Sequence, residues 1–331
     1  MERFALAAAV VLGFALTAAL CSLFVPLRRV LERREQNQQP VQPEQPRPAP
    51  LRAPLWGGLC AAAGTVAAVG VGWLAACVGQ PELLGSEGLL MTRLLTALAG
   101  SLAFGAVGLA EDLARMRSPA ALGLRRDVRL LLEALAAAFV LLLLQAAGCL
   151  PRGLDVPGAG YVLLGSAVPF LWAVLMVALA ECARIAERDE GTVCGAAFVA
   201  MLALMMAEAG LGVPGLAVLP AALAGALVAL LLWAFPPARL GVGCCGSLLA
   251  AGAIGCIPLS LDMTSLTVPL ALPFWAAGGL LAAQLLGAKR TGKPLRCWVK
   301  KHKMSPETVF LCSFALSAVG YVLALALLRW C

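Results

Sequence analysis

The sequence predicts an all-α, polytopic membrane protein with about ten transmembrane helices and both termini outside. Three observations predict it. The chain has 331 residues, 61% of them hydrophobic and only 13% charged, where a soluble domain carries about a quarter charged residues. Apolar runs of roughly 20 residues recur from end to end, each long enough to cross ~30 Å of hydrocarbon. The basic residues gather in every second connection. A β-barrel is excluded, because its strands read as ~10-residue alternating segments and Leu, Ala and Gly run here without alternation.

The spans are read at 4–27, 55–78, 89–110, 129–147, 160–180, 192–210, 214–235, 241–259, 266–288 and 308–329. The first exceeds a signal-peptide core of about 7–15 residues and lacks a small-x-small cleavage site before Pro26, so it counts as a span. The connection after it holds Arg28, Arg29, Arg33, Arg34, Arg47 and Arg52. Within that connection, 36–54 is rich in Pro and Gln, and its prolines deny it regular backbone pairing; it is expected to be an extended cytosolic loop. The later basic connections carry Arg115, Arg117, Arg125 and Arg126, then Arg184 and Arg188, then Arg239, then a run from Lys289 to Lys303. The opposite side carries only Arg152. Lys/Arg excess marks the cytoplasmic side, so the functional face is expected to be cytoplasmic, in a multi-pass protein of the cell membrane. Residues 1–331 form one integral membrane domain, since no connection is long enough to hide a soluble one. The net charge of +7 is a topology signal, and no nucleic-acid partner is expected. The twelve cysteines show no metal-ligand spacing and are expected to behave as small buried hydrophobes.

Most acids also lie at the basic ends of the spans. Glu111 and Asp112 stand side by side where span 3 ends; Glu181, Glu187, Asp189 and Glu190 follow span 5. Carboxylates mixed with Arg and Lys at a bilayer boundary suit one chemistry: a divalent cation held by oxygens and a phosphate clamped by basic side chains. The plainer reading is local pairing. Arg115 stands four residues from Glu111, and Glu181, Arg184, Glu187 and Arg188 fall at helical three- and four-residue spacings that form a salt-bridge ladder. Inverted repeats and midplane charges, the marks of a secondary transporter, are missing; Glu133 lies only one turn into span 4.

In order along the chain, the motifs resemble the phospho-N-acetylmuramoyl-pentapeptide transferase family, within the polyprenyl-phosphate N-acetylhexosamine-1-phosphate transferases. Ala53-Pro54-Leu55-Trp56-Gly57-Gly58 resembles the motif opening that family's span 2. Gly108-Leu109-Ala110-Glu111-Asp112, then Gly123-Leu124, resembles its Gly-x-x-Asp-Asp ending of span 3. Glu181 to Gly191 stands in the register of its third cytosolic loop, and Gly243-Cys244-Cys245-Gly246-Ser247-Leu248 in that of its Gly-Asp-x-Gly-Ser-Leu motif. Lys289, Gly292 and the single histidine, His302, stand where the family has Lys-x-x-Gly and three histidines.

The resemblance implies transfer of a phospho-amino-sugar from a UDP-linked donor to undecaprenyl phosphate with Mg²⁺, the first membrane step of peptidoglycan building. It implies Glu111 and Asp112 as catalytic carboxylates, Glu111, Asp112 and Glu187 as metal ligands, and Glu190, Glu181, Arg184, His302 and Lys289 as substrate-binding residues. Cys244 stands at the family's metal-binding aspartate, and a thiol is a soft ligand unsuited to Mg²⁺. Two readings follow: a divergent transferase, or a catalytically inactive paralogue that keeps the fold as a lipid-phosphate-binding or assembly protein. The bilayer, the two substrates and, optionally, a second copy of the chain are the expected partners.

Overall fold

The computed structural model describes residues 2–38, 56–79, 88–117, 123–156, 160–163, 165, 167–187, 191–212, 215–235, 239–287 and 305–330. Its helices are α1 (Glu2–Gln38), α2 (Gly57–Gly79), α3 (Gly88–Arg117), α4 (Arg126–Ala146), α5 (Ala167–Ala186), α6 (Thr192–Gly210), α7 (Val218–Ala234), α8 (Gly243–Ser260), the one-turn α9 (Thr267–Leu270), α10 (Leu272–Gly287) and α11 (Pro306–Trp330). Each long helix overlaps one of the ten apolar runs. Among the described residues, seven are long and apolar enough to cross a membrane, and Val218–Ala234 is a shorter apolar helix. The protein is an all-α, multi-pass membrane protein.

Helix α8 is the axis of the fold. All eighteen of its residues are buried, and it is enclosed by α2, α3, α5 and α6, most extensively by α3. Small residues make this possible: GCCGSLLAAGAIGCI presents almost no bulk. Helices in lipid gain by close van der Waals packing rather than by a hydrophobic force between them. A Cβ at Gly252 would press on Phe104 and Ser101, and one at Gly105 on Leu249, so α3 and α8 lie nearly backbone to backbone. Helix α7 is the second buried helix, covered by α1, α2 and α6. Exposed Leu, Val and Phe on α1, α4, α5 and α11 form the outer, lipid-suited surface.

Several boundaries differ from the sequence reading, α1 among them, which runs to Gln38 where the first span was expected to end at 27. Span 5 was expected from 160, but Gly160–Leu163 pairs antiparallel with Gly153–Val156 as a two-stranded hairpin, β2 on β1, and α5 starts at Ala167. Gly160 and Gly165 sit at φ of +73° and +61°, a left-handed backbone that no helix interior adopts. Helix α3 runs on to Arg117, seven residues past the expected end, with Arg115 and Arg117 in its last turn, where cations favour the negative helix end. The run at 266–288 is divided into a 3₁₀ turn (Thr264–Leu266), α9 and α10. The Pro/Gln-rich loop at 36–54 lies outside the described residues beyond Gln38, which ends α1.

Candidate functional site

One end of α8 is assembled by residues far apart in the sequence. The first turn of α8 has no acidic residue and no side-chain cap of its own, and Gly243, at φ +72°, turns the chain into it. A helix start leaves backbone N–H groups unpaired. Asp112, 1% exposed, satisfies two of them: Cys244 N–H donates to Oδ1 at 3.0 Å and Cys245 N–H to Oδ2 at 2.9 Å. A charge-assisted bond to the positive helix end is favourable on both counts.

Glycines let the backbones come this close. A Cβ at Gly108 would collide with the Cys244 carbonyl, and one at Gly58 with the backbone of Gly246. Gly57 and Gly58 N–H donate to the carbonyls of Gly241 and Val242 at 3.2 and 2.9 Å, tying the start of α2 to the same turn. Three of the glycine-bearing motifs of the sequence therefore meet at one point.

Around Asp112 lies a cluster of five acids and three arginines. Arg115 Nη2 donates to Glu111 Oε1 at 2.7 Å. Its Nη1 lies 3.9 Å from Asp112 Oδ1 and 3.9 Å from Glu187 Oε2. Arg129 Nε donates to Glu181 Oε1 at 2.7 Å, and the same guanidinium comes within 3.7 Å of Glu111 and 3.9 Å of Glu133. Arg184 Nη2 donates to Glu181 Oε2 at 2.6 Å. Gly123, at φ +70°, lies against the Arg115 stem, where a Cβ would meet its Cγ at 3.1 Å. The interior of the cluster is closely packed: Glu111 Oε2 and both Glu133 oxygens are buried and take no hydrogen bond from a described side chain. Arg115 and Glu181 are the more open members, with side chains 20% and 22% exposed.

Of the residues singled out in the sequence, Glu111, Asp112, Glu181, Arg184, Glu187 and Cys244 come together here. Glu190, Lys289 and His302 lie outside the described residues. Sequence reasoning did not select Arg129 or Glu133, and treated Arg115 only as a local partner of Glu111. The signal for the first two was available: an Arg–Glu pair at (i, i+4) at the start of an apolar helix is costly in lipid unless it faces other charges.

The resemblance implies a divalent cation, and the gathered side chains do not fit one. Mg²⁺ takes oxygen ligands in octahedral order. Here both Asp112 oxygens hold backbone N–H groups, Glu111 Oε1 holds Arg115, and Cys244 offers sulfur. Among the described residues, no three His, Cys, Asp or Glu side chains converge as metal ligands.

A buried polar cluster at one end of a bundle of apolar helices defines a class: a multi-pass membrane protein with a charged cluster at one end of the bundle. The match to known families then fixes the kinship. Residues 94–262, more than half of the chain and including α8 with its whole first turn, match the model of glycosyl transferase family 4, and the chain belongs to that family. It is 28% identical over 265 residues to the phospho-N-acetylmuramoyl-pentapeptide-transferase of Mycobacterium tuberculosis (strain ATCC 25618 / H37Rv), covering 72% of each chain. It is 30% identical over 212 residues to that of Synechococcus sp. (strain RCC307), covering 63% of this chain and 55% of the relative. With that of Desulforudis audaxviator (strain MP104C) it shares 32% over 211 residues, 61% of this chain and 60% of the relative. Family membership is consistent with a divalent-metal requirement in general; the arrangement of donors among the described residues is not.

Proposed function

We propose that this chain is a divergent membrane transferase that moves a phospho-amino-sugar from a UDP-linked donor to a polyprenyl phosphate such as undecaprenyl phosphate. The proposal places it in the cell membrane, with ten spans, both termini outside and the charged site on the cytoplasmic face. One observation carries the reading. Four of the acids to which the resemblance assigns a role, Glu111 and Asp112 on α3, Glu181 on α5 and Glu187 just past its end, meet at one partly open cluster against the first turn of α8, inside a family match.

The reaction is an exchange of phosphoryl partners. An oxygen of the acceptor phosphate attacks the sugar-bearing phosphorus of the donor, and the phosphorus–oxygen bond to UMP breaks. A lipid-linked diphosphate sugar and UMP result, with no net proton change. Such a step needs positioning and compensation of charge more than covalent help. In this reading Arg115, one of the more open members of the cluster, supplies positive charge to incoming phosphate oxygens. Asp112 holds the first turn of α8, and with it the backbone that walls the site.

The test is exchange of labelled UMP with UDP-amino-sugar donors by the purified chain in detergent with undecaprenyl phosphate, in Mg²⁺ and in Mn²⁺. Exchange is expected. Its absence from well-folded protein, across several donors, sinks the transferase reading. The inactive paralogue is the second reading, favoured by one feature: Cys244 at the position of an acid. Under it the chain keeps undecaprenyl phosphate binding without exchange.

A further inference from the structure

The three acids that the resemblance marks as metal ligands are already gathered about a cation, and that cation is a side chain. Glu111 Oε1 lies 2.7 Å from Arg115 Nη2, while Asp112 Oδ1 and Glu187 Oε2 each lie 3.9 Å from Arg115 Nη1. Glu111 and Asp112 lie on α3 and Glu187 just past the end of α5, so the meeting is tertiary and not a by-product of helical spacing alone. Gly123 lies against the stem that delivers the guanidinium, and Cys244, buried at the start of α8, adds no charge that would call for a second cation.

We infer that the Arg115 guanidinium is the resident cation of this site, standing in the place of a divalent metal among Glu111, Asp112 and Glu187. The inference rests on reading this cluster as the family's phosphate-transfer site. Physically, the substitution is sound but partial. A guanidinium brings one charge and directional donors, where Mg²⁺ brings two charges and open positions for substrate oxygens. A site so built holds a phosphate-bearing ligand by hydrogen bonding from Arg115 and does not recruit a metal to do it.

The experiment is a Mn²⁺ titration of the full chain in detergent, read by electron paramagnetic resonance. The wild type is expected to show no stoichiometric Mn²⁺ site up to about 1 mM, the weak end of biological divalent sites. Arg115→Met keeps the apolar stem and removes the charge; it is expected to gain one Mn²⁺ per chain, at least tenfold tighter than any binding by the wild type. Adding Glu111→Gln to that variant abolishes the gain. One Mn²⁺ per wild-type chain, lost in Glu111→Gln, overturns the inference, and so does a folded Arg115→Met chain that binds none. Should Arg115→Met not fold, Arg115→Lys and the wild type decide: both stay free of stoichiometric Mn²⁺ if the inference holds, and binding by either sinks it. Missing UMP exchange, with or without EDTA, counts against the transferase reading and leaves the Mn²⁺ result standing.

Discussion

The two ends of α8 are closed in opposite ways. At its start, the backbone N–H groups are taken by Asp112, a side chain 132 and 133 positions earlier in the sequence, on another helix. At its finish, the closure is local: Leu261, Asp262 and Met263 N–H donate to the carbonyls of Ile257, Leu259 and Pro258 at 3.2, 3.2 and 2.9 Å. Asp262 adopts φ +63° to complete that turn, a conformation Asp tolerates better than most residues. The first end depends on three helices holding their places; the second depends on three or four neighbouring residues. A site that must be rigid is built at the first kind of end, because there every element fixes the others.

The comparison makes its largest prediction at Asp112. Asp112→Ala leaves two buried N–H groups without an acceptor and removes a counter-charge of Arg115. Breaking a buried charge arrangement costs about 3–5 kcal/mol, and a lost helix cap alone about 1. Thermal melting in detergent is expected to show the full loss, with Asp112→Asn intermediate because one of the two accepting oxygens becomes an NH2 group that cannot accept. Equal, small losses for both would mean that the start of α8 holds without its distant cap.

Gly108→Val comes next. Its Cβ meets the Cys244 carbonyl, so α3 and α8 must separate; overpacking of this kind costs about 1–3 kcal/mol. The same substitution at Gly279, whose Cβ position meets nothing within 4 Å, is expected to shift the melting temperature little. Glu181→Gln follows, at about 1–2 kcal/mol, since it weakens charged bonds to Arg129 and Arg184 at a side chain that is still partly open. A double substitution with Arg184→Met measures the coupling: less than the sum of the singles is expected, because the two residues share one bond.

Much of the architecture was readable in the sequence. Each of the apolar runs overlaps a long helix among the described residues, and Gly57, Gly58 and Gly108 announced close approach. The acids at 111–112 and 181–187 were readable as one group because they fall at the same end of their spans. What sequence reading could not supply was rotation. Periodicity says that Glu111 and Arg115 share a face of α3, but not that this face turns toward Glu187, just past the end of α5. Arg129 and Glu133 were passed over for the same reason. The hairpin was hidden in an apolar run, where Tyr161-Val162-Leu163 carries as much hydropathy as a helix would, and only the flanking Gly160 and Gly165 marked the difference.

The smallest prediction belongs to the far end. Tyr161 O–H donates to Asp262 Oδ2 at 3.5 Å, an exposed contact at the limit of hydrogen-bond length. It joins the hairpin to the turn that ends α8. Because the turn is closed by its own backbone, Tyr161→Phe is expected to cost no more than about 0.5 kcal/mol, the ordinary range of a surface change, and to leave UMP exchange unaltered. Asp262→Gly goes further, removing the side chain while easing a left-handed backbone, so its two effects oppose one another and the melting temperature should hardly move. A large loss from either would show that this end, too, is held from a distance, and the contrast between the two ends of α8 would have to be given up.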